Sequence, residues 1–312
     1  MYKKQHNTLF CTGLWAALML TATLTTATAA EQPRHHKQHH KTHHVSHKHA
    51  QKEQSDSTRL DLKSSSVVVY DLNKGEVLFE RQPDTVRPIA SLTKLMTAMV
   101  VLDGNLPQDE VLTVTDEDVD TLRHSRSKLP VGTMLTRHDM LQLALAASEN
   151  RAASSLARTY PGGTAAFVKL MNKKAHDLGL EHTHYVDSTG LHDENVSTAA
   201  DLVKLTIAAH KYAQISEMST NGNDYVIEQR RNHKIEFRNT NVLVRDDRWD
   251  VNLSKTGHII SAGYCLVMHT VINDRPLAMI LLNAKNNYSK FGDANRIRKW
   301  LMSANNRPQL TS

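Results

Sequence analysis

Cysteine is nearly absent from this 312-residue chain, which has two, Cys11 and Cys265. Cys11 falls in a stretch that reads as a removable leader, ahead of its apolar run and so misplaced for lipid attachment. Cys265 is then alone, which excludes an internal disulfide, and stability in an oxidising compartment must come from the core. Aromatic residues are scarce at 5%, against 40% hydrophobic residues overall, enough for one large domain or two small ones. A long apolar run is missing too. "LWAALML" is short, and the chain beyond Leu20 turns threonine-rich, which argues against a spanning helix. Even the net charge of +6 is local. Lys3, Lys4, Arg34, Lys37, Lys41 and Lys48 face the single acid Glu31 in the first 49 residues. Of the 38 bases and 32 acids, that leaves 32 and 31 from residue 50 onward. A nearly neutral body removes the main support for nucleic-acid binding.

What is present at the N-terminus reads as a secretory signal over residues 1–29. Lys3 and Lys4 supply the positive end, and Ala27–Thr28–Ala29 a small-residue cleavage site, which predicts export. Residues 30–60 follow as a histidine-rich tether, "HHKQHHKTHHVSHKH" at its centre, with almost nothing to bury and therefore expected to be disordered. Closely spaced imidazoles can bind metal weakly. No carboxylate or cysteine framework fixes a defined site, so a soluble tether whose charge rises below about pH 6.5 is the preferred reading.

Order is expected over residues 61–304, with a disordered tail at 305–312. "SSVVVYDLNKGEVLFER" is two β-rich runs around Asn73–Lys74–Gly75, a hairpin signal. Ile89, Leu92, Leu95, Met96 and Met99 predict a buried helix that stops at Gly104 as a C′ glycine. Residues 105 to about 215 read as mostly helical. Thr136 is expected to cap a helix reaching Ala147, another helix to end at Gly179, and another to begin after Thr198. Strand patterns return from about Asp224, and an amphipathic helix closes the body. Strands at both ends around a helical block predict one interleaved α+β unit, an antiparallel sheet flanked by helices with an all-helical insertion and a cleft between the two.

Ser91 and Lys94 lie one turn apart within the buried helix. A serine hydroxyl attacks carbonyls poorly without a base, and a desolvated lysine has the lowered pKa a base needs. Pro88 and Ala90 put Ser91 near the helix N-terminus, where backbone N–H groups can hold an oxyanion. Ser-x-x-Lys arises about once by chance in a chain this long. Ser125–Lys128 is such a second match, set aside as a nucleophile because its polar segment cannot desolvate the lysine. Ser148–Glu149–Asn150 falls at a helix–helix turn, where hydroxyl and amide can relay a proton and hold a substrate amide. Capping is its plainer explanation, and Ser303–Ala304–Asn305 is a chance match. Lys255–Thr256–Gly257 ends an alternating strand, able to bind a carboxylate and allow close approach at the glycine.

In this order and setting the three motifs form the signature of penicillin-binding proteins and serine β-lactamases. The sequence resembles that superfamily, and within it the low-molecular-mass D-alanyl-D-alanine peptidases, most closely endopeptidases of the penicillin-binding protein 7 type. The likeness runs through "IASLTKLMTAMVVLD", "LALAASENRAA", "HTHYVDSTGL", "FRNTN", "SKTG" and "AGYCLVM". It implies the β-lactamase/transpeptidase-like fold. Ser91 would be the acylated nucleophile, Lys94 its base and Ser148 a proton relay. Asn150 would hold the peptide amide, and Lys255, Thr256 and Gly257 the carboxylate side. The N–H groups of Ser91 and of the strand near His258 would form the oxyanion hole. His258 stands where the family often has an aromatic or bulky residue, and Glu149 where relatives have Asp or Gly, read here as tolerated. The implied partners are cross-linked stem peptides of peptidoglycan, with β-lactams as inhibitors, no metal or cofactor, and at most peripheral envelope association. No deacylating carboxylate is identifiable, although Asp187 and Glu194 lie in an unassigned stretch. A carboxypeptidase, a weak β-lactamase and a non-catalytic muropeptide- or β-lactam-binding sensor stay open as alternatives.

Overall fold

The computed structural model describes residues 60–303; the expected leader, nearly all of the tether and the C-terminal tail lie outside them. The two β-rich runs form β1 (Ser66–Asp71) and β2 (Glu76–Arg81), joined through Gly75 at φ 68°. Three long strands from the end of the body complete the same sheet: β9 (Asp250–Ile259), β10 (Gly263–Ile272) and β11 (Arg275–Ala284). The order is β2-β1-β11-β10-β9 with every pairing antiparallel, so the first and last parts of the chain interleave as expected.

β10 and β11 are buried along nearly their whole length because helices cover both faces of the sheet. Val67, Val69, Leu266, Met268, Met279 and Leu281 face α7 (Asn287–Met302), whose Phe291, Ala294, Ile297 and Leu301 fill one core. Val68, Val267, Ile280 and Leu282 face the opposite way, into the larger core shared with the helical block. That block holds α1 (Lys94–Asp103), α2 (Arg137–Gln142), α3 (Asn150–Arg158), α4 (Gly163–Asp177), α5 (Ala199–His210) and α6 (Ala213–Thr220). No described helix is long and apolar enough to cross a membrane.

Thr136 and Thr198 cap as the sequence predicts, accepting from the N–H groups of Asp139 and Asp201. Three details differ. The buried helix opens as a 3-10 turn over Ala90–Thr93, and α1 proper begins at Lys94. Gly104 does end α1, but in the right-handed region at φ −68°; Asn105 takes the left-handed position. Gly104 is small for another reason, since a Cβ there would stand 2.7 Å from the Tyr160 ring. The block is also less helical than expected. It contains the pairs β3 (Arg87–Pro88) with β6 (Val196–Ser197) and β4 (Val111–Thr113) with β5 (Met134–Thr136), plus long loops on either side of the cleft. Such short strands carry too few residues to show a period of two. The hairpin β7 (Asn223–Glu228) and β8 (His233–Arg238) stands outside the main sheet.

Asp293 of α7 ties the start of the body to its end. Its fully buried carboxylate accepts from the N–H groups of Lys63 and Ser64, at 2.9 and 2.6 Å, from the Ser64 hydroxyl, and from Arg296. Asp293→Ala leaves these donors unanswered and is expected to remove about 3 kcal/mol. That corresponds to a thermal midpoint lower by about 6–12 °C for a body of this size, measurable by calorimetry.

Candidate active site

The chain enters the 3-10 turn through Ala90 in a left-handed conformation, φ 49°, and this strained step turns Ser91 out toward the cleft. Two glycines pack against that step. A Cβ on Gly190 would lie 1.9 Å from the Ala90 carbonyl oxygen, and one on Gly257 would lie 2.8 Å from that of Ile89. The Ser91 N–H thus sits between loop 187–195 and strand β9, an approach that only glycine permits on either side.

One turn on, Lys94 is 1% exposed. Its Nζ lies 3.0 Å from Ser91 Oγ and 2.7 Å from both Asn150 Oδ1 and the Thr189 carbonyl oxygen. Burial pulls its pKa from 10.5 to about 8, against the opposing pull of the Asp187 and Glu149 carboxylates. All three neighbours accept from Nζ. Once deprotonated, the amine can keep its two N–H groups on Asn150 and Thr189 and turn its lone pair to the Ser91 hydroxyl.

Ser148 arrives by a different route. α2 widens into a π-helical turn, Leu143–Ala147, and Ser148 follows at φ 61°. π-turns of this kind recur at functional sites. Here the widened turn presents the Ser148 hydroxyl to Lys255 Nζ at 2.9 Å. Lys255 is also 1% exposed, and its pKa lies well below the ordinary lysine value, through burial first and then the charges of Lys94 and Lys290. Its other bond goes to the Thr256 carbonyl, while the Thr256 hydroxyl donates to Thr240 Oγ1 at 2.6 Å. β9 is the outermost strand of its sheet, so its free edge lines the cleft beyond Gly257. Next along it, exposed His258 stacks on Tyr264 at 3.8 Å.

Seven of the eight residues singled out from sequence therefore gather around the two lysines and the Ser91 N–H, while the His258 ring lies on Tyr264 of the next strand. The structure adds others. Asp187 accepts from Gly190 N–H, Asn195 Nδ2 and the Thr189 hydroxyl, which shapes the turn that aims the Thr189 carbonyl at Lys94. Its signal was the stretch "HTHYVDSTGL", matched as a whole but assigned no role. Glu149 is more than tolerated. Its buried carboxylate accepts from the Ser127 hydroxyl and Lys128 N–H and pins loop 120–130 over the cleft. Ser125, set aside as a chance match, accepts from Asn150 Nδ2 at 2.9 Å, while Lys128 Nζ turns away to the Glu236 carbonyl. No sequence spacing links Ser125 to Asn150; the loop brings them together.

This arrangement can be set beside known proteins. The profile of the D-alanyl-D-alanine carboxypeptidase family matches residues 49–286. The chain belongs to that family. A D-alanyl-D-alanine endopeptidase of Pseudomonas aeruginosa is 50% identical over 241 residues, 77% of this chain and 78% of the relative. One of Escherichia coli is 47% identical with the same coverage. Among solved structures, a Streptomyces DD-transpeptidase superposes with a TM-score of 0.71 at 25% identity, over 78% of this chain and 98% of that one. A penicillin-binding protein of Listeria monocytogenes, solved in its ampicillin-bound form, superposes with a TM-score of 0.66 at 27% identity, over 78% and 99%. The chain is thus a serine hydrolase of the D-alanyl-D-alanine carboxypeptidase family, on the fold of penicillin-binding proteins.

Proposed function

We propose that this chain is a D,D-endopeptidase that hydrolyses D-alanyl cross-links between peptidoglycan stem peptides through an acyl-enzyme on Ser91. The observation that carries the reading is the buried Lys94, its Nζ 3.0 Å from Ser91 Oγ and 2.7 Å from both Asn150 Oδ1 and the Thr189 carbonyl oxygen. Neutral Lys94 takes the hydroxyl proton as Oγ bonds to the D-alanyl carbonyl carbon. The oxyanion forms beside the Ser91 N–H and the edge of β9 beyond Gly257. Collapse breaks the amide, and the departing amine of the neighbouring stem receives the proton that Lys94 took, relayed through Ser148, which Lys255 holds in place; Lys94 is left neutral again. Water then attacks the ester with Lys94 again as base, releasing the acid and Ser91. Asn150 holds the substrate amide, and Lys255 and Thr256 the side of the leaving group. β-Lactams acylate the same serine. Export by the leader to the periplasm belongs to this reading, as does peripheral envelope association through the basic tether.

Endopeptidase is preferred to carboxypeptidase because the relatives at 50% and 47% identity carry the first name, while those named carboxypeptidases reach 30% at most among the ones compared. Digestion of purified cross-linked dimers followed by chromatography tests it. Monomers with intact stem peptides are expected. Loss of terminal D-alanine alone would make the protein a carboxypeptidase, and an unchanged dimer would favour a sensor.

A further inference from the structure

A cavity of about 470 Å³ opens immediately beyond Ser148, between loop 120–130, the π-helical turn and hairpin β7–β8. Its floor is apolar. Leu129, Leu143, Ile235 and Phe237 line it, each nearly fully buried. Its rim is basic, with Arg126 and Arg238 both exposed. Neither guanidinium has a hydrogen bond or ion pair with any described residue, in a body whose other arginines are largely tied to carboxylates and carbonyls. Glu149 is the one acid among the lining residues, and its oxygens are taken by Ser127 and Lys128.

The position of the cavity is as telling as its lining. Thr240, two residues beyond Arg238, bonds the Ala146 carbonyl through its N–H and receives the Thr256 hydroxyl through its Oγ1. The cavity wall is therefore continuous with the Lys255–Thr256 end of the cleft, where the proposed reaction puts the leaving group. Asn150 and Ser125 lie toward Lys94 instead.

We infer that this cavity binds the amine-donating branch of the substrate, an acidic peptide with aliphatic side chains whose free carboxylates pair with Arg126 and Arg238. This rests on the endopeptidase reading. A carboxypeptidase expels a single amino acid and needs no such cavity, whereas an enzyme that cuts between two peptides must seat the second one. Apolar burial on the floor supplies contact area, and paired guanidinium–carboxylate bonds at the rim supply selectivity for an acidic branch.

Calorimetric titration of full-length Ser91→Ala, which cannot be acylated, with a purified cross-linked dimer tests the inference. Adding Arg126→Gln and Arg238→Gln together is expected to weaken dimer binding about tenfold, the loss of exposed charge-assisted bonds. Amidating the carboxylates of the amine-donating branch alone should weaken binding by the same factor, with no further loss when both changes are combined. In the Ser91 background, the double arginine variant should react with fluorescent penicillin at the unaltered rate while its KM for dimers rises and kcat holds. Equal dissociation constants with and without the arginines, or for amidated and free dimers, would overturn the assignment. So would a parallel fall in penicillin labelling, because the arginines would then act through the shape of the cleft. Arginine-dependent binding of a dimer that the unaltered protein never cuts would sink the endopeptidase reading and leave this site standing.

Discussion

Ser91→Ala is expected to take no covalent label from fluorescent penicillin and to leave cross-linked dimers uncut, because it removes the hydroxyl that lies 3.0 Å from Lys94 Nζ on the step seated between Gly190 and Gly257. Undiminished labelling would remove Ser91 as the nucleophile. Lys94→Met separates the base from the nucleophile. Ser91 remains, but acylation should fall by about 10²–10⁴, the usual contribution of a positioned general base. The pH profile distinguishes this from simple damage. With its pKa at about 8, Lys94 is mostly protonated at pH 6 and free as a base above pH 8, so acylation by the unaltered protein should rise through about pH 8 and then level off. The variant should lose that rise.

The same shift bears on stability. The folded value lies below the unfolded one of 10.5, so between about pH 8 and 10.5 the unfolded chain binds the proton that the folded one releases. Stability attributable to this group therefore increases with pH across that window, and below pH 8 its burial is a standing cost of about 3 kcal/mol. Lys94→Met removes that cost and also removes the donor to Asn150 and Thr189. The two offset, so a nearly unchanged thermal midpoint at pH 7 should accompany the loss of acylation. A collapse of the midpoint would mean that the lysine acts mainly through packing.

Gly190→Ala should be comparably severe without touching any reacting group. The added methyl would need to occupy the place of the Ala90 carbonyl, 1.9 Å away, at a backbone angle of φ 83° that alanine resists. Both the loop and the Ala90–Ser91 step are backbone, so no side chain can swing aside. Strain of a few kcal/mol is expected. Shifting Ser91 by about 1 Å should lower acylation about 100-fold or more. Circular dichroism and the rate of penicillin labelling measure the two effects separately. Gly179→Ala is the control, since nothing lies within 4 Å of its added Cβ although its φ of 66° is also left-handed. It should lose stability alone.

The five strands of the main sheet and the closing helix were legible because apolar runs, or apolar residues at a regular spacing, extend over six or more residues. Ser91 and Lys94 stood out because they break such a pattern, and Lys255–Thr256–Gly257 because the tripeptide ends one. The hidden parts were local in another sense. The π-helical turn before Ser148 differs from a regular helix by one hydrogen-bond register, which composition does not record. Ser125 looked like a chance match because its relation to Asn150 runs through space alone.

The sequence by itself determined the interleaved α+β plan and singled out the motifs that meet at the cleft, since both are written in periodicity and in short fixed spacings. Only the tertiary structure decided the state of Lys94. Its lowered pKa, its contacts with Asn150 and Thr189 and the glycine contacts that seat Ser91 arise from the convergence of α1, α3, loop 187–195 and β9, segments up to 166 residues apart in number between Ser91 and Gly257. Desolvation and close approach are properties of neighbours in space, and no stretch of chain carries them alone.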